Sequence, residues 1–331
     1  MKRQQQLTDW LKSLYPDHPF TLAPASADAS FRRYFRASFA DHTLIIMDAP
    51  PQHEDCRPFI HVAQLFAEAG VNVPKVIEQD LQQGFLLLSD LGNTTYLQAL
   101  NTDSNRLLYG DACSALIQIQ RASKEGNLPA YDEVLLLREM RLFPEWYIGK
   151  HLQASLNEKQ QAVLETTFQR ILQNNLAQPK VYVHRDYHSR NLMVTSPNPG
   201  ILDFQDAVYG PITYDLVSLF KDAYIGWREA DVLDWLIRYW ENARKAGLPV
   251  HADFGEFYRD YEWMGVQRHL KVLGIFARLY HRDGKEAYLK DMPLVMSYLR
   301  RACERYIDLK PLLRLLDELE PQTDQQVGYT F

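Results

Sequence analysis

With 331 residues, 46% hydrophobic and 24% charged, the chain can bury one large core or two smaller ones, which excludes wholesale disorder. A formal charge of −6, from 36 Lys and Arg against 42 Asp and Glu, provides no global positive field to attract a phosphate backbone, so no nucleic-acid partner is expected. Cys56, Cys113 and Cys303 lack the CxxC spacing of a zinc ribbon, MKRQQQLTDW lacks an apolar signal core and no apolar run of about 18 residues could cross a bilayer, so no membrane partner and a cytoplasmic location are expected.

Leu7, Trp10, Leu11 and Leu14 recur at i, i+3, i+4 and i+7, the stripe of a short amphipathic helix. Strands follow at residues 31–37 and 43–47, with Asp41-His42 suited to the turn between them. Pro50-Pro51 breaks that pattern. Over residues 55–69, Phe59, Val62, Ala63 and Phe66 share one helical face, and Gly70 is the expected stop. Residues 85–88 (FLLL) read as a buried strand running into Ser89-Asp90-Leu91-Gly92. Beyond residue 95 the periodicity is helical, notably over 107–122, 158–174 and 231–245, interrupted near position 181 by the short apolar pieces VYV, LMV and IL. The polar tail after Pro321 is expected to fray. Strands first and helices second predict an α+β fold, with a small lobe joined near residues 89–93 to a larger helical one, and a ligand cleft where they meet.

The densest polar signal is Val183-His184-Arg185-Asp186-Tyr187-His188-Ser189-Arg190-Asn191, followed by Ile201-Leu202-Asp203-Phe204. VYV predicts a strand that delivers a loop holding Asp186 and Asn191. LMV, the turn Pro197-Asn198-Pro199-Gly200 and IL predict a hairpin that brings Asn191 beside Asp203. An amide oxygen and a carboxylate are hard ligands suited to Mg²⁺, which keeps several waters and completes its shell with phosphates. Asp186 is left to accept a hydroxyl proton, the division of labour that phosphoryl transfer needs. Each residue alone would be an ordinary turn residue; their order, each beside a short apolar strand, sets them apart.

HRDYHSRN followed by DFQD resembles the catalytic and metal loops of the protein-kinase-like superfamily, most closely its aminoglycoside phosphotransferase and small-molecule kinase branch, where a histidine stands at the position of His188. FLLLSDLG resembles that branch's hinge, and GVNVPKV its strand after the first-lobe helix. SFRRYFR, IIMDAPP, FPEWY and QRHLKVLGIFARL are similar to the anomeric sugar kinases of peptidoglycan recycling. The resemblance covers nearly the whole chain. It implies a two-lobed protein-kinase-like fold, with residues 1–90 as the nucleotide-binding lobe and 91–331 as the catalytic and acceptor-binding lobe. The activity it implies is phosphorylation of N-acetylmuramate and N-acetylglucosamine at the anomeric hydroxyl, using ATP and Mg²⁺.

On that resemblance Asp186 is the base and Asn191 and Asp203 hold Mg²⁺. The nucleotide lies between Ser26–Ser30 and the hinge residues Ser89, Asp90 and Leu91. His188 either meets the transferring phosphate or hydrogen-bonds its neighbours. Asp215 matches a buried aspartate that fastens the catalytic loop. Only a short stretch separates Asp203 from Asp215, so there is little room for a peptide platform; a small-molecule acceptor is expected, with Arg185 structural. Two departures stand out. No GxG occurs, so the glycine-rich phosphate loop is replaced by Ser26-Ala27-Asp28-Ala29-Ser30, and Met47 occupies the place of the usual strand lysine. Alternation aims Arg32 or Arg33 at the phosphates, and Arg32 is the candidate.

Candidate acceptor residues are Asp222, Tyr224 and Trp227, with Trp263 and Arg268 on a later helical segment that also carries Gln267 and Lys271. Aromatic rings match apolar sugar faces, and a guanidinium can pair with a carboxylate bidentately. The plainer reading puts the tryptophans in the core and Arg268 and Lys271 in solvent. A kinase of an aminoglycoside, choline or an amino alcohol, and an inactive nucleotide-binding scaffold, are the alternatives. The expected partners are ATP and a small amino sugar, with a monomer as the expected state.

Overall fold

The computed structural model describes residues 2–26 and 32–320. They pack into two compact units, one of residues up to Ala122 together with Arg190–Ala207, the other of Ser123–Ser189 together with residues from Val208 onward.

The first unit opens with helix α1 (Lys2–Leu14), whose Leu7 and Leu11 are fully buried against Phe35, Ile46 and Leu87. Those side chains belong to a five-stranded antiparallel sheet of β1 (Thr21–Ser26), β2 (Arg33–Ser38), β3 (Thr43–Asp48), β4 (Val76–Asp80) and β5 (Phe85–Ser89), in the order β1-β2-β3-β5-β4. Along β2 the alternation is plain, Phe35 and Ala37 inward and Arg33 outward, whereas β5 buries four consecutive residues because both its faces are covered. Helix α2 (Arg57–Glu68) buries the expected Phe59, Val62, Ala63 and Phe66, and the chain turns at Gly70 with φ 87°. The strand expected through GVNVPKV begins only at Val76; Val71 and Val73 are buried in an irregular stretch beside Pro74, which has no N–H to donate. Helices α3 (Tyr96–Ala99) and α4 (Asn105–Arg121) follow.

Residues Arg190–Ala207 join this unit through bonds and ring contacts that sequence spacing does not reveal. Their hairpin pairs Leu192 with Ile201 and Met193 with Gly200. The Ile201 N–H donates to the Asn72 carbonyl at 2.8 Å, and the Asn198 amide donates to the Tyr96 hydroxyl (2.9 Å) and the Asp111 carboxylate (2.7 Å). The Phe204 ring lies 4.8 Å from that of Phe59 and 5.9 Å from that of Phe66. By packing, therefore, residues 91–122 and 190–207 go with the sheet, a different division from 1–90 and 91–331.

The second unit is mostly helical. Strand Lys180–Val183 pairs antiparallel with Val208–Pro211, so VYV and the LMV hairpin belong to separate small sheets. Helices run over Glu133–Met140, Glu158–Ala177, Tyr214–Phe220, Glu229–Lys245, Phe254–Asp283, Met292–Arg305 and Lys310–Leu319. FPEWYIGKH forms a π-helical segment, Phe143–His151, which the periodicity did not foretell. Next to it a Cβ on Gly274 would come within 2.6 Å of the Leu142 carbonyl oxygen, so this close packing requires glycine. The long helix Phe254–Asp283 is the centre of the unit: every residue from Tyr261 to Lys271 is buried, including Glu262, Arg268 and Lys271, whose charges must therefore find partners inside. No helix among the described residues is long and apolar enough to cross a membrane.

Candidate active site

Within the second unit, strand Lys180–Val183 leads into the loop that carries Asp186. Asp215, 1% exposed, accepts hydrogen bonds from the backbone N–H of His184 (2.7 Å) and of Arg185 (3.0 Å). Arg185 has φ 76°, a left-handed conformation costing on the order of 1–3 kcal/mol for a non-glycine residue, and the Asp215 clamp holds it there. Burial raises the Asp215 carboxyl to about 7, while the two N–H donors and Arg268 pull it down. At the far end of the loop, Asp222 accepts from the Ser189 N–H (3.0 Å) and from its hydroxyl. Between these two clamps the His188 N–H donates to the Asp186 carbonyl at 3.0 Å.

Asp186 retains 39% of its side-chain exposure, and Arg268 Nη2 lies 3.8 Å from its Oδ1. Arg268 is itself buried; it donates to the Arg185 carbonyl (2.8 Å) and the Tyr214 hydroxyl (3.0 Å). Lys271, also buried, donates to the same hydroxyl (2.9 Å) and lies 3.0 Å from Glu139. Glu139 gathers the Arg185 guanidinium, the Tyr131 hydroxyl and, at 3.2 Å, the Gln267 amide. Burial alone would raise Asp186, but Lys271, Arg268, His188 and Arg185 outweigh it and hold the carboxyl far below the usual range. Asp186 is thus a carboxylate at physiological pH, able to accept a hydrogen bond from a hydroxyl.

These contacts correct the plainer sequence reading: Arg268 and Lys271 do not face solvent but lie beneath the loop that carries Asp186. Glu139, Tyr131 and Tyr214 were not singled out from sequence. A glutamate on the buried stripe of Leu136 and Met140 was the available signal.

In the first unit, the hairpin of Arg190–Ala207 brings Asn191 and Asp203 together. The Leu202 N–H donates to the Asn191 carbonyl (2.9 Å), and Asn191 Nδ2 lies 3.3 Å from Asp203 Oδ2. Gln205 Nε2 holds the other Asp203 oxygen at 2.9 Å, and Asp203 has φ 62°, a second left-handed residue at a site position. A carboxamide and a carboxylate this close supply two hard oxygens once the amide turns, a donor set that fits Mg²⁺ completed by phosphates.

The nucleotide candidates have varied surroundings. Ser30 lies outside the described residues, and Ser26 ends β1. Arg32 Nε is 3.6 Å from Glu54, and the neighbouring Arg33 pairs with Asp48, which is fully buried and also takes Arg3 Nε at 2.8 Å. Met47 is buried at the position of the missing lysine. In the hinge stretch, the Ser89 hydroxyl accepts the Lys75 N–H at 2.9 Å, while Asp90 accepts Arg36 Nη2 at 3.0 Å and the Gly92 N–H at 2.9 Å; Leu91 is half-buried.

Of the acceptor candidates, Asp222, Tyr224 and Trp227 fall on one segment beside the Asp186 loop, with the Tyr224 ring edge-on to His188 at 5.4 Å. Trp227 meets Trp235 edge-on at 5.5 Å. Trp263 is not brought to them: 3% exposed, it packs against Tyr306 and under the Arg259 guanidinium.

The fold is protein-kinase-like. The choline kinase LicA from Streptococcus pneumoniae superposes with a TM-score of 0.63 at 12% identity, over 91% of this chain and 100% of that one. The chain belongs to the phosphotransferase enzyme family, whose model matches residues 21–254, and it is an enzyme of that class. It is 52% identical over 336 residues, 100% of both chains, to the N-acetylmuramate/N-acetylglucosamine kinase of Neisseria meningitidis serogroup B. It is 51% identical over 328 residues, covering 96% of this chain and 97% of the other, to the protein of the same name from Pseudomonas putida.

Proposed function

We propose that this enzyme transfers the γ-phosphoryl group of ATP to the anomeric hydroxyl of N-acetylmuramate and N-acetylglucosamine. The observation that carries this reading is the 52% identity, over the full length of both chains, to a kinase named for these two sugars. In this reading residues 1–90 form the nucleotide-binding lobe and 91–331 the catalytic and acceptor-binding lobe, and the enzyme works as a cytoplasmic monomer.

Asp186 accepts a hydrogen bond from the C1 hydroxyl and orients its oxygen in line with the γ-phosphorus. As the new O–P bond forms and the bond to the ADP oxygen breaks, the proton passes to the Asp186 carboxylate. A carboxylate held so far toward its charged form takes the proton only as the O–P bond forms and the hydroxyl becomes acidic. An anomeric hydroxyl, more acidic than an ordinary alcohol, suits such a base. Asn191 and Asp203 would hold Mg²⁺, which would neutralise charge on the phosphates. His188 faces the transferring group, Ser26, Ser30, Arg32 and the 89–91 stretch border the nucleotide, and Asp222, Tyr224 and Trp227 border the sugar. Arg268, which donates to the Arg185 carbonyl and the Tyr214 hydroxyl and lies 3.8 Å from the Asp186 carboxylate, positions the base.

A coupled assay of ATP consumption across sugars, aminoglycosides and choline tests this reading. N-Acetylmuramate and N-acetylglucosamine are expected to support turnover and the cationic acceptors are not; turnover confined to a cationic acceptor would refute the proposal.

A further inference from the structure

Beside the segment that braces the Asp186 loop lies a small open cleft, of about 30 Å³ as swept by the centre of a water molecule. It is bordered by helices Glu229–Lys245, Phe254–Asp283 and Met292–Arg305, with aromatic walls from Trp227, Tyr258 and Tyr298. We infer that this cavity takes the carboxylate-bearing side arm of the acceptor sugar, and that Arg301 sets the preference for an acidic over a neutral sugar. The inference rests on the sugar-kinase reading and adds to it the residue that distinguishes its two substrates.

Charge accounting supports an anionic occupant. Three cations border the cavity (Lys221, Arg301 and Arg305) against two carboxylates, Glu229 and Glu262. Glu262 is taken by Lys221 and Arg305, and Glu229 by Arg305. Among the described residues Arg301 has no carboxylate partner: its guanidinium lies over the Tyr298 ring, 5.7 Å from the centroid, and it reaches the Ser297 hydroxyl only at 3.5 Å. A carboxylate would complete this set through a bidentate pair, whereas a cationic acceptor would meet repulsion.

Unspent hydrogen-bonding capacity points the same way. The Tyr298 hydroxyl is buried, in a residue 6% exposed, and has no hydrogen-bond partner among the described residues; neither has His188 Nδ1. Buried polar groups left unmatched are costly, so a polar ligand that reaches the Tyr298 hydroxyl on opening of the cleft gains by pairing it. Tyr298 and His188 border one segment, 222–227, at different points. Asp222 holds Ser189, Tyr224 meets the His188 ring, a Cβ on Gly226 would come 3.6 Å from the Tyr298 hydroxyl, and Trp227 forms the cavity wall. An apolar sugar face against Trp227, with its acidic arm toward Arg301 and Tyr298, uses all of these features.

The test is Arg301→Gln, an exposed position whose replacement leaves the core untouched. Steady-state kinetics are expected to show kcat/KM for N-acetylmuramate reduced about 10–100-fold, the worth of a hydrogen bond to a charged group, with N-acetylglucosamine within about twofold of the parent. Unchanged kinetics with both sugars, or an equal loss with both, would overturn the inference while leaving the sugar-kinase reading intact. Parent enzyme inert toward both sugars would overturn that reading and the inference with it.

Discussion

Asp186→Asn is expected to lower kcat by about 10²–10⁴-fold, the usual worth of a positioned general base, while leaving the fold and ATP binding in place. Asparagine keeps the size of the side chain and one oxygen for the acceptor hydroxyl, but it cannot take the proton. The fold is expected to survive because Asp186 is 39% exposed and because the loop is fixed by other residues, Asp215 and Asp222. The substitution does remove a negative charge from beside Arg268 and near Lys271 and Arg185, so a modest fall in melting temperature is expected. Near-normal kcat in a folded, ATP-binding Asp186→Asn variant would refute the assignment of the base.

Asp215→Ala should act through stability. It leaves the buried N–H groups of His184 and Arg185 without an acceptor, at about 1–3 kcal/mol each, and releases the left-handed turn at Arg185. A total loss of about 2–6 kcal/mol is expected, read as a lowered denaturant midpoint. The loss should depend on pH. With its folded pKa raised to about 7 by burial, Asp215 binds a proton between about pH 4 and 7 that the unfolded chain has released, so its contribution to stability is fullest near pH 4 and declines as pH rises through 7. The deficit of the alanine variant should therefore be larger at pH 5 than at pH 8. A deficit that grows toward pH 8 would show that Asp215 works chiefly as a charged acceptor.

Legibility followed the range of each interaction. The α1 stripe, the β2–β3 pair, α2 and the Asn191–Asp203 hairpin are local patterns, and each is present where the residues imply it, with ends shifted by a few positions. The juxtaposition of Asn191 and Asp203 is likewise legible, because a short hairpin fixes the register between them. The support beneath Asp186 is another matter. Glu139 and Lys271 are 132 residues apart, and nothing in either neighbourhood says that they meet. Arg268 illustrates the same limit: its helical spacing is plain, but whether the guanidinium faces solvent, a sugar or the Asp186 loop depends on how the long helix packs. The attachment of Arg190–Ala207 to the sheet unit depends on partners as distant as Asn72 and Tyr96, and the π-helical Phe143–His151 segment on close packing at Gly274.

The central claim is that the phosphoryl group goes to the anomeric oxygen of an amino sugar. Incubating the enzyme with ATP, Mg²⁺ and N-acetylmuramate and recording a ¹H–³¹P correlation spectrum of the product tests it most directly. The account predicts a sugar phosphorus coupled to the proton on carbon 1; coupling to the protons on carbon 6 would contradict it.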